Sequence, residues 1–148
     1  MYAPIMFNSQ SQFTPLYNNA RGQARLNKLR ALLQGRSSRL LDLNEIVNGA
    51  QIVSRHYLGT YSVPVNQIKG SESRNQDFDS EFNPVRDNNK ERWINIIAAR
   101  LFEKGLPAID LIKINETYFV RDGHHRVSVA RALGAVYIDA HVTELTLG

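Results

Sequence analysis

The last forty residues carry the most regular hydrophobic pattern of the chain, and this pattern limits the folds open to it. Residues 109–114 form an apolar run typical of a buried strand, and a turn at 115–116 separates it from a second strand at 117–120. A helical period follows from about 124 to 134. Residues 136–143 then alternate apolar and polar side chains, as a half-buried strand does. This order of elements predicts an α+β fold.

Three patterns predict further elements before this region. Asn89 to Lys104 has apolar residues at helical spacing, and Gly105 and Pro107 follow where a helix should end. Tyr61, Val63 and Val65 alternate like a short strand, which Pro64 confines to a sheet edge because proline cannot donate to a ladder. Residues 21–34 predict a helix that buries one face, which consists of Leu26, Leu29 and Leu33.

The changes in composition along the chain predict three parts. Residues 1–20 contain no charged side chain and two prolines, which favours a flexible or docked N-terminal arm. Residues 21–57 are predicted as a helical extension, with a second short helix over 41–47. Residues 58–148 are predicted to form the α/β domain, a small mixed sheet flanked by helices.

The composition excludes several classes of site. The chain has no cysteine, so disulfides, cysteine-ligated metals and a cysteine nucleophile are excluded. No apolar run approaches the roughly 20 residues that a membrane span needs, and no basic and apolar leader opens the chain. We therefore expect a cytoplasmic protein without a membrane partner. A homodimer is compatible with the sequence, which does not fix the oligomeric state.

A basic cluster near the N-terminus gives the chain part of its net charge of +4. Between residues 21 and 39 there are six basic residues and no acidic one. Such a cluster could contact the phosphate backbone of a nucleic acid, or it could be a solvated face beside packed leucines. The second interpretation is favoured, because one basic helix is common to many unrelated proteins. The cluster consists of Arg21, Arg25, Lys28, Arg30, Arg36 and Arg39.

The turn from Asp122 to Arg126 carries the clearest chemical signal. A strand ends there, Gly123 permits a tight turn, and a helix starts, so the first free N–H groups of that helix can bind phosphate. Arg126 adds a planar cation suited to phosphate oxygens. His124 and His125 can donate hydrogen bonds or move a proton near neutral pH. A purely structural interpretation is equally open: Asp122 caps the helix, the histidines are polar surface, and Arg126 forms a salt bridge.

A family resemblance favours the functional interpretation. The order of Val63-Pro64-Val65-Asn66-Gln67-Ile68, Arg74 with Phe78-Asp79, Gly105-Leu106-Pro107 and Asp122-Gly123-His124-His125-Arg126 resembles the ParB N-terminal domain and sulfiredoxin superfamily. The likeness covers residues 62–145, a little over half of the chain. The Asp-Gly-His opening is most similar to the branch that includes the ADP-dependent serine kinase.

The resemblance implies a ParB/sulfiredoxin-like fold and a nucleotide whose phosphates lie at the strand–turn–helix. Members bind or hydrolyse CTP, use ATP or ADP, or carry the label of a ParB-like nuclease domain. His124 stands where sulfiredoxin has its catalytic cysteine, so reductase chemistry is excluded. Gly123-His124-His125-Arg126 replaces the Gly-Glu-Arg-Arg of ParB proteins, so a preference for CTP does not carry over. In the serine-kinase branch an acidic residue after the first strand is the general base, and Glu72 occupies that place.

These considerations yield two principal functions and one set of site residues. The first is a nucleotide-dependent phosphotransferase or hydrolase, for which the resemblance implies a nucleoside di- or triphosphate with Mg²⁺. The second is a DNA- or RNA-binding module or nuclease without nucleotide turnover, and a non-catalytic ligand sensor is a third option. Adjacent histidines point about 100° apart on a helix, so no metal site is expected. The predicted catalytic residues are Glu72, Asp122 and His125, and the predicted phosphate-binding residues are Ser71, Arg74, Gly123, His124, His125 and Arg126.

Overall fold

The computed structural model describes residues 9–73, 75–101 and 105–148. Within these ranges, four α-helices flank one six-stranded mixed sheet, which confirms the predicted α+β class. The helices are α1 (Ser9–Gln34), α2 (Leu43–Val47), α3 (Lys90–Leu101) and α4 (His124–Ala132). The strands are β1 (Leu41–Asp42), β2 (Ile52–Pro64), β3 (Ile68–Ser71), β4 (Ile109–Ile114), β5 (Thr117–Asp122) and β6 (Tyr137–Leu147).

The sheet has the strand order β1-β3-β5-β4-β6-β2. The pairs β1–β3, β3–β5 and β4–β6 are parallel, whereas β4–β5 and β2–β6 are antiparallel. The β4–β5 hairpin turns at residues 115–116, as predicted, and Asn115 has a positive φ of 53° there. This order brings the end of β5 next to β3 and β4, at the edge where α4 begins.

Two hydrophobic clusters lie on opposite faces of the sheet. The larger one contains Leu111 and Val120 and packs beneath α1, α3 and α4. The smaller one contains Ile112 and Phe119, which alternate with the first pair along their strands, and it is covered by Leu43 from α2. The sheet is therefore apolar on both faces at its centre, and α4 is held firmly against the larger cluster.

Helix α1 accounts for most of the N-terminal part. It runs without interruption from Ser9 through Pro15, so residues 9–20 of the arm, predicted as flexible or docked, are helix that packs on the core; residues 1–8 lie outside the described residues. An internal proline costs a helix about 3 kcal/mol, and burial of a side chain such as Phe13 contributes roughly 1.5–3 kcal/mol. Phe13 and Tyr17 are both buried, so tertiary packing offsets the proline.

The buried face of α1 is not the predicted one. Leu26, Leu29 and Leu33 are exposed, and the residues that face the protein are mostly small. Small side chains let the helix lie close to its neighbours, and their weak hydrophobicity hides the stripe from a sequence pattern. The buried residues are Phe13, Tyr17, Ala20, Ala24, Asn27 and Ala31.

The predicted boundary at residue 57/58 falls inside β2, which spans Ile52–Pro64. Residues 52–57 are thus strand, not part of a helical extension. Sequence alternation missed this half of β2 because it is an edge strand with both faces exposed, so no apolar face marks it. Pro64 lies at the end of this edge strand, as predicted. No helix in the described ranges combines the length and hydropathy that crossing a bilayer requires.

Candidate functional site

Gly123 forms the joint between β5 and α4. It is the N-cap residue of the helix, with φ 114° and ψ 25°, a left-handed conformation that glycine adopts at little cost. A Cβ at this position would lie 2.8 Å from the Ile109 Cβ. Backbone geometry and close packing therefore both require glycine here, which places the start of α4 directly against β4.

The first turn of α4 keeps its amide groups unpaired. No side chain caps the helix, and the first helical bond runs from Val127 N–H to the Gly123 carbonyl. The N–H groups of residues 124–126 have no acceptor among the described residues. Asp122 therefore does not cap the helix, since its Oδ2 instead accepts a hydrogen bond from Arg126 Nη2 at 3.1 Å. These three amides carry the positive end of the helix dipole.

A cleft of about 160 Å³ opens beside these amides. Residues 122–126 at the start of α4 line it, and α3 contributes Arg92 and Ile96. Arg92 is exposed, and no described residue pairs with its guanidinium. The sequence analysis missed Arg92 because it lies on another element, thirty residues before the turn. The cleft is lined by Asn75, Arg92, Ile96 and residues 122–126.

Arg126 lies at the cleft, but part of its guanidinium is already engaged. Nη1 donates to the Pro107 carbonyl at 2.6 Å and to the Ala108 carbonyl at 3.2 Å, and the side chain is only 16% exposed. These bonds fix the segment before β4 to the start of α4. Arg126, the predicted phosphate-binding cation, therefore also has a structural role. Arg92 is the cation at this cleft whose guanidinium has no partner among the described residues.

The two histidines have half-buried, weakly basic rings. His124 Nε2 lies 2.8 Å from Ser71 Oγ, and its ring stacks on Phe78. Burial lowers the pKa of His124, against the opposing effect of Asp122 and Asp77. Burial, with smaller electrostatic contributions from Arg92 and from neighbouring His124, lowers the pKa of His125 to about 4. Both imidazoles are thus neutral at pH 7.

His125 has one atom that the structure leaves without a partner. Its Nε2 is buried and forms no hydrogen bond within the described residues. The ring meets Phe78 edge-on, with centroids 5.1 Å apart and an angle of 85° between the planes. A buried nitrogen without a partner costs about 1–3 kcal/mol, so it is uncommon in a purely structural histidine.

Of the predicted residues on β3 and just after it, Ser71 and Glu72 do not line this cleft. Ser71 is buried and contacts the cleft only through His124. Glu72 accepts hydrogen bonds from Arg121 Nε at 3.1 Å and from Nη2 at 3.3 Å, and it does not line the cleft. Arg74 lies outside the described residues. The cleft thus brings together Asp122, Gly123, His124, His125 and Arg126; Ser71 contacts His124, and Glu72 does not line the cleft.

The loop before α3 is anchored rather than free. Phe78 and Phe82 are buried. Asp79 is also buried and accepts hydrogen bonds from the amides of Glu81 and Asn83, and burial raises its pKa. Among the described residues, no three His, Asp or Glu side chains come together as metal ligands.

The basic cluster of α1 divides into paired and unpaired side chains. Arg21 pairs with Asp87 at 3.1 Å, and Arg36 Nη2 donates to Asn27 Oδ1 at 3.2 Å. The other four residues are exposed: Arg25, Lys28, Arg30 and Arg39. Lys28 and Arg39 line a cleft of about 390 Å³ between α1 and the loop that precedes α3. Asn75 lines both this cleft and the one at α4.

Comparisons with known proteins yield a single structural match. No protein-family model matches the chain, and no curated protein matches it. The crystal structure of sulfiredoxin from Arabidopsis thaliana is similar over 56% of this chain and 82% of its own, with 19% sequence identity and a TM-score of 0.42. A likeness at that level carries no argument about function. Strand order and the α4 cleft define the class directly: a mixed α+β protein with an uncapped helix start facing a basic cleft.

Proposed function

We propose that the cleft at the start of α4 binds a phosphate group of a nucleotide or another small phosphorylated ligand. The observation that carries the proposal is the set of three amides at residues 124–126, which have no acceptor among the described residues, in a cleft that Arg92 also lines. Phosphate oxygens are strong acceptors and carry the charge that a helix N-terminus favours. A volume of about 160 Å³ suits one or two phosphate groups rather than a whole nucleotide.

A second cleft supports a ligand larger than phosphate. It has about 320 Å³ and shares the lining residue Arg126 with the first. Arg100, Tyr137 and Asp139 line it and offer a cation, an aromatic ring and a carboxylate. A nucleoside di- or triphosphate would extend from the α4 amides past Arg126 into this space. Asp122 is the carboxylate at the first cleft and could share a Mg²⁺ ion with the phosphates, if its pairing with Arg126 loosens.

The reaction that suits this arrangement is phosphoryl transfer, either to a hydroxyl group or to water. Catalysis of this type rests on positioning and charge neutralisation, which the amides and Arg92 would supply. A neutral imidazole can accept a proton, and the lowered pKa of His125 keeps its ring neutral at pH 7. Glu72 is the alternative base, although it is engaged by Arg121. A phosphotransferase or nucleotide hydrolase is therefore the finer form of the proposal.

Isothermal titration with ADP, ATP, CTP and pyrophosphate, each with and without Mg²⁺, tests the binding step. We expect Arg92→Gln to weaken binding by about 10-fold or more, the usual cost of losing a charge-assisted hydrogen bond. Arg25→Gln is the matched control, because it removes an equal charge from α1, and its binding should stay within 2-fold of wild type. Equal affinity of Arg92→Gln and wild type, or no binding of any of these ligands, would overturn the proposal.

Turnover is measured separately from binding. Release of inorganic phosphate from the nucleotide that binds most tightly should depend on His125 if its imidazole is the base. His125→Gln should then slow release by about 100-fold while affinity changes little. Binding without any release by wild type would reduce the function to that of a ligand sensor.

Nucleic-acid binding is the second candidate, and one observation favours it. The cleft of about 390 Å³ beside α1 carries Lys28, Arg39 and Arg86, and it borders the α4 cleft at Asn75. A single strand could place successive phosphates in these two clefts. Affinity for a single-stranded DNA or RNA oligonucleotide should then fall steeply with salt and fall further in a Lys28→Gln, Arg39→Gln double variant. Absence of binding at low salt would remove this candidate.

A further inference from the structure

Two lines of residues run along helix α1 at the three- and four-residue spacing typical of packed helices. One of these lines packs against the rest of the protein. The buried stripe consists of residues spaced alternately by four and three positions, from Phe13 to Ala31. Leu26, Leu29 and Leu33 are spaced by three and four on the opposite side of the helix. They are 46%, 55% and 80% exposed, and Leu32 beside them is 72% exposed. We call these four leucines the outer leucine stripe.

The outer leucine stripe differs from ordinary scattered surface leucines. Four leucines fall within eight residues of one helix, while the buried side of the same helix is built largely from alanines. Folding alone would favour the larger apolar side chains on the inside, because burial of each leucine is worth roughly 1.5–3 kcal/mol. Contiguous apolar surface of this kind marks an interaction site more often than a solvated face.

The positive charges beside the outer leucine stripe indicate what kind of partner it would bind. At 100° per residue, Arg25 lies on one side of the line of Leu26, Leu29 and Leu33 and Arg30 on the other, and neither forms an ion pair with a described residue. The first acidic residue of the chain is Asp42, so no carboxylate of α1 offsets these charges. A second copy of the helix would bring arginine against arginine in either orientation, which disfavours self-association.

We propose that the outer leucine stripe is a docking site for an amphipathic helix of a partner protein, with an apolar ridge flanked by acidic residues. The three-then-four spacing matches the ridge that two packed helices present to each other, which an anionic lipid surface does not require. Carboxylates beside the partner's ridge would pair with Arg25 and Arg30. This inference goes beyond the proposed function, because the stripe lies outside the α4 cleft and shares no residue with it.

A synthetic helix supplies the probe. A fluorescently labelled peptide of about three heptads, with Leu at the a and d positions and Glu at e and g, is titrated with the full-length protein in low salt. We expect saturable binding that weakens at least 10-fold at high salt. The same peptide with Lys in place of Glu should not bind. The Leu29→Ser, Leu33→Ser double variant should lose binding at least 10-fold, with unchanged circular dichroism and melting temperature because both leucines are exposed.

A charge exchange provides the decisive control. The Arg25→Glu, Arg30→Glu double variant should no longer bind the Glu peptide and should bind the Lys peptide. A surface that binds peptides only through non-specific hydrophobic contact would not change its preference in this way. Failure of wild type to bind the Glu peptide, or equal binding of both peptides, overturns the proposal. Leucine-dependent binding to vesicles of phosphatidylglycerol in place of the peptide also overturns it. So does a leucine-dependent homodimer in sedimentation equilibrium.

Discussion

His125 carries a buried imidazole nitrogen without a hydrogen-bond partner among the described residues. Its pKa is lowered to about 4, mainly by burial. In the unfolded chain the same ring titrates near its ordinary value of 6.5. Between these two values the unfolded state binds a proton that the folded state does not, so lowering the pH through this window favours unfolding. Above pH 6.5 both states are neutral, and the ring adds no pH dependence.

This difference between the His125 pKa of the folded and the unfolded state predicts that stability falls as the pH drops from 6.5 towards 4. Urea denaturation at pH 7.5 and pH 5.0 should show a lower free energy of unfolding at pH 5.0. The His125→Phe variant, whose ring keeps the edge-on position against Phe78, should show a smaller difference between the two pH values. The comparison of the two proteins cancels Asp79, whose raised pKa acts in the opposite direction. An identical pH dependence in both proteins would contradict the buried, neutral ring.

Among the individual residues, the sequence predicted one part of the candidate site, the turn at residues 122–126, and missed another part. The strand–glycine–helix joint could be predicted because Gly123 and the change of hydrophobic period are local features. Arg92 could not, since only the packing of α3 beside α4 brings it to the cleft. The bonds of Arg126 to the Pro107 and Ala108 carbonyls were also beyond local reasoning, because these acceptors precede it by almost twenty residues.

Among the elements, those with a dominant apolar face or a continuous apolar run could be predicted, and those with neither could not. Helices α3 and α4 and strands β4, β5 and β6 match their predictions to within a few residues. The first half of β2 has no such face, because both its sides are exposed. On α1 the most hydrophobic stripe and the buried stripe are different, so the sequence pattern identified a helix and assigned the wrong face to the core.

Two substitutions on α1 test which face packs. Ala20 is buried within the main core cluster, so Ala20→Leu should overpack it and lower the free energy of unfolding by about 1–3 kcal/mol. Leu29→Ala is on the outer leucine stripe and should change it by no more than about 0.5 kcal/mol. Urea denaturation followed by Trp93 fluorescence measures both. A large loss of unfolding free energy for Leu29→Ala, with none for Ala20→Leu, would show that the leucine face of α1 is the one that packs on the core.

The whole molecule shares one principal core across the three parts that the sequence suggested. Phe13, Tyr17 and Ala20 from α1 lie in the same cluster as the sheet residues and α4. Tyr17 also donates to Asp87 Oδ1 at 2.7 Å and meets the Trp93 ring edge-on, with centroids 5.5 Å apart. Composition cannot reveal such sharing, because it depends on which distant segments meet. The helical part is therefore expected to fold together with the sheet.

A common core predicts a single cooperative unfolding transition. Far-UV circular dichroism reports all four helices, whereas the fluorescence of Trp93 reports the packing of α3, through its contacts with Tyr17 and Ser128. The two signals should change at the same urea concentration, and Phe13→Ala should move both midpoints together by the equivalent of about 3–5 kcal/mol at an unchanged slope. If α1 were an independent arm, the same substitution would remove part of the helical signal at low urea and leave the Trp93 transition in place. Coincident shifts of both probes would instead establish that the surface of α1, with its leucines and its arginines, is held rigidly on the domain that carries the α4 cleft.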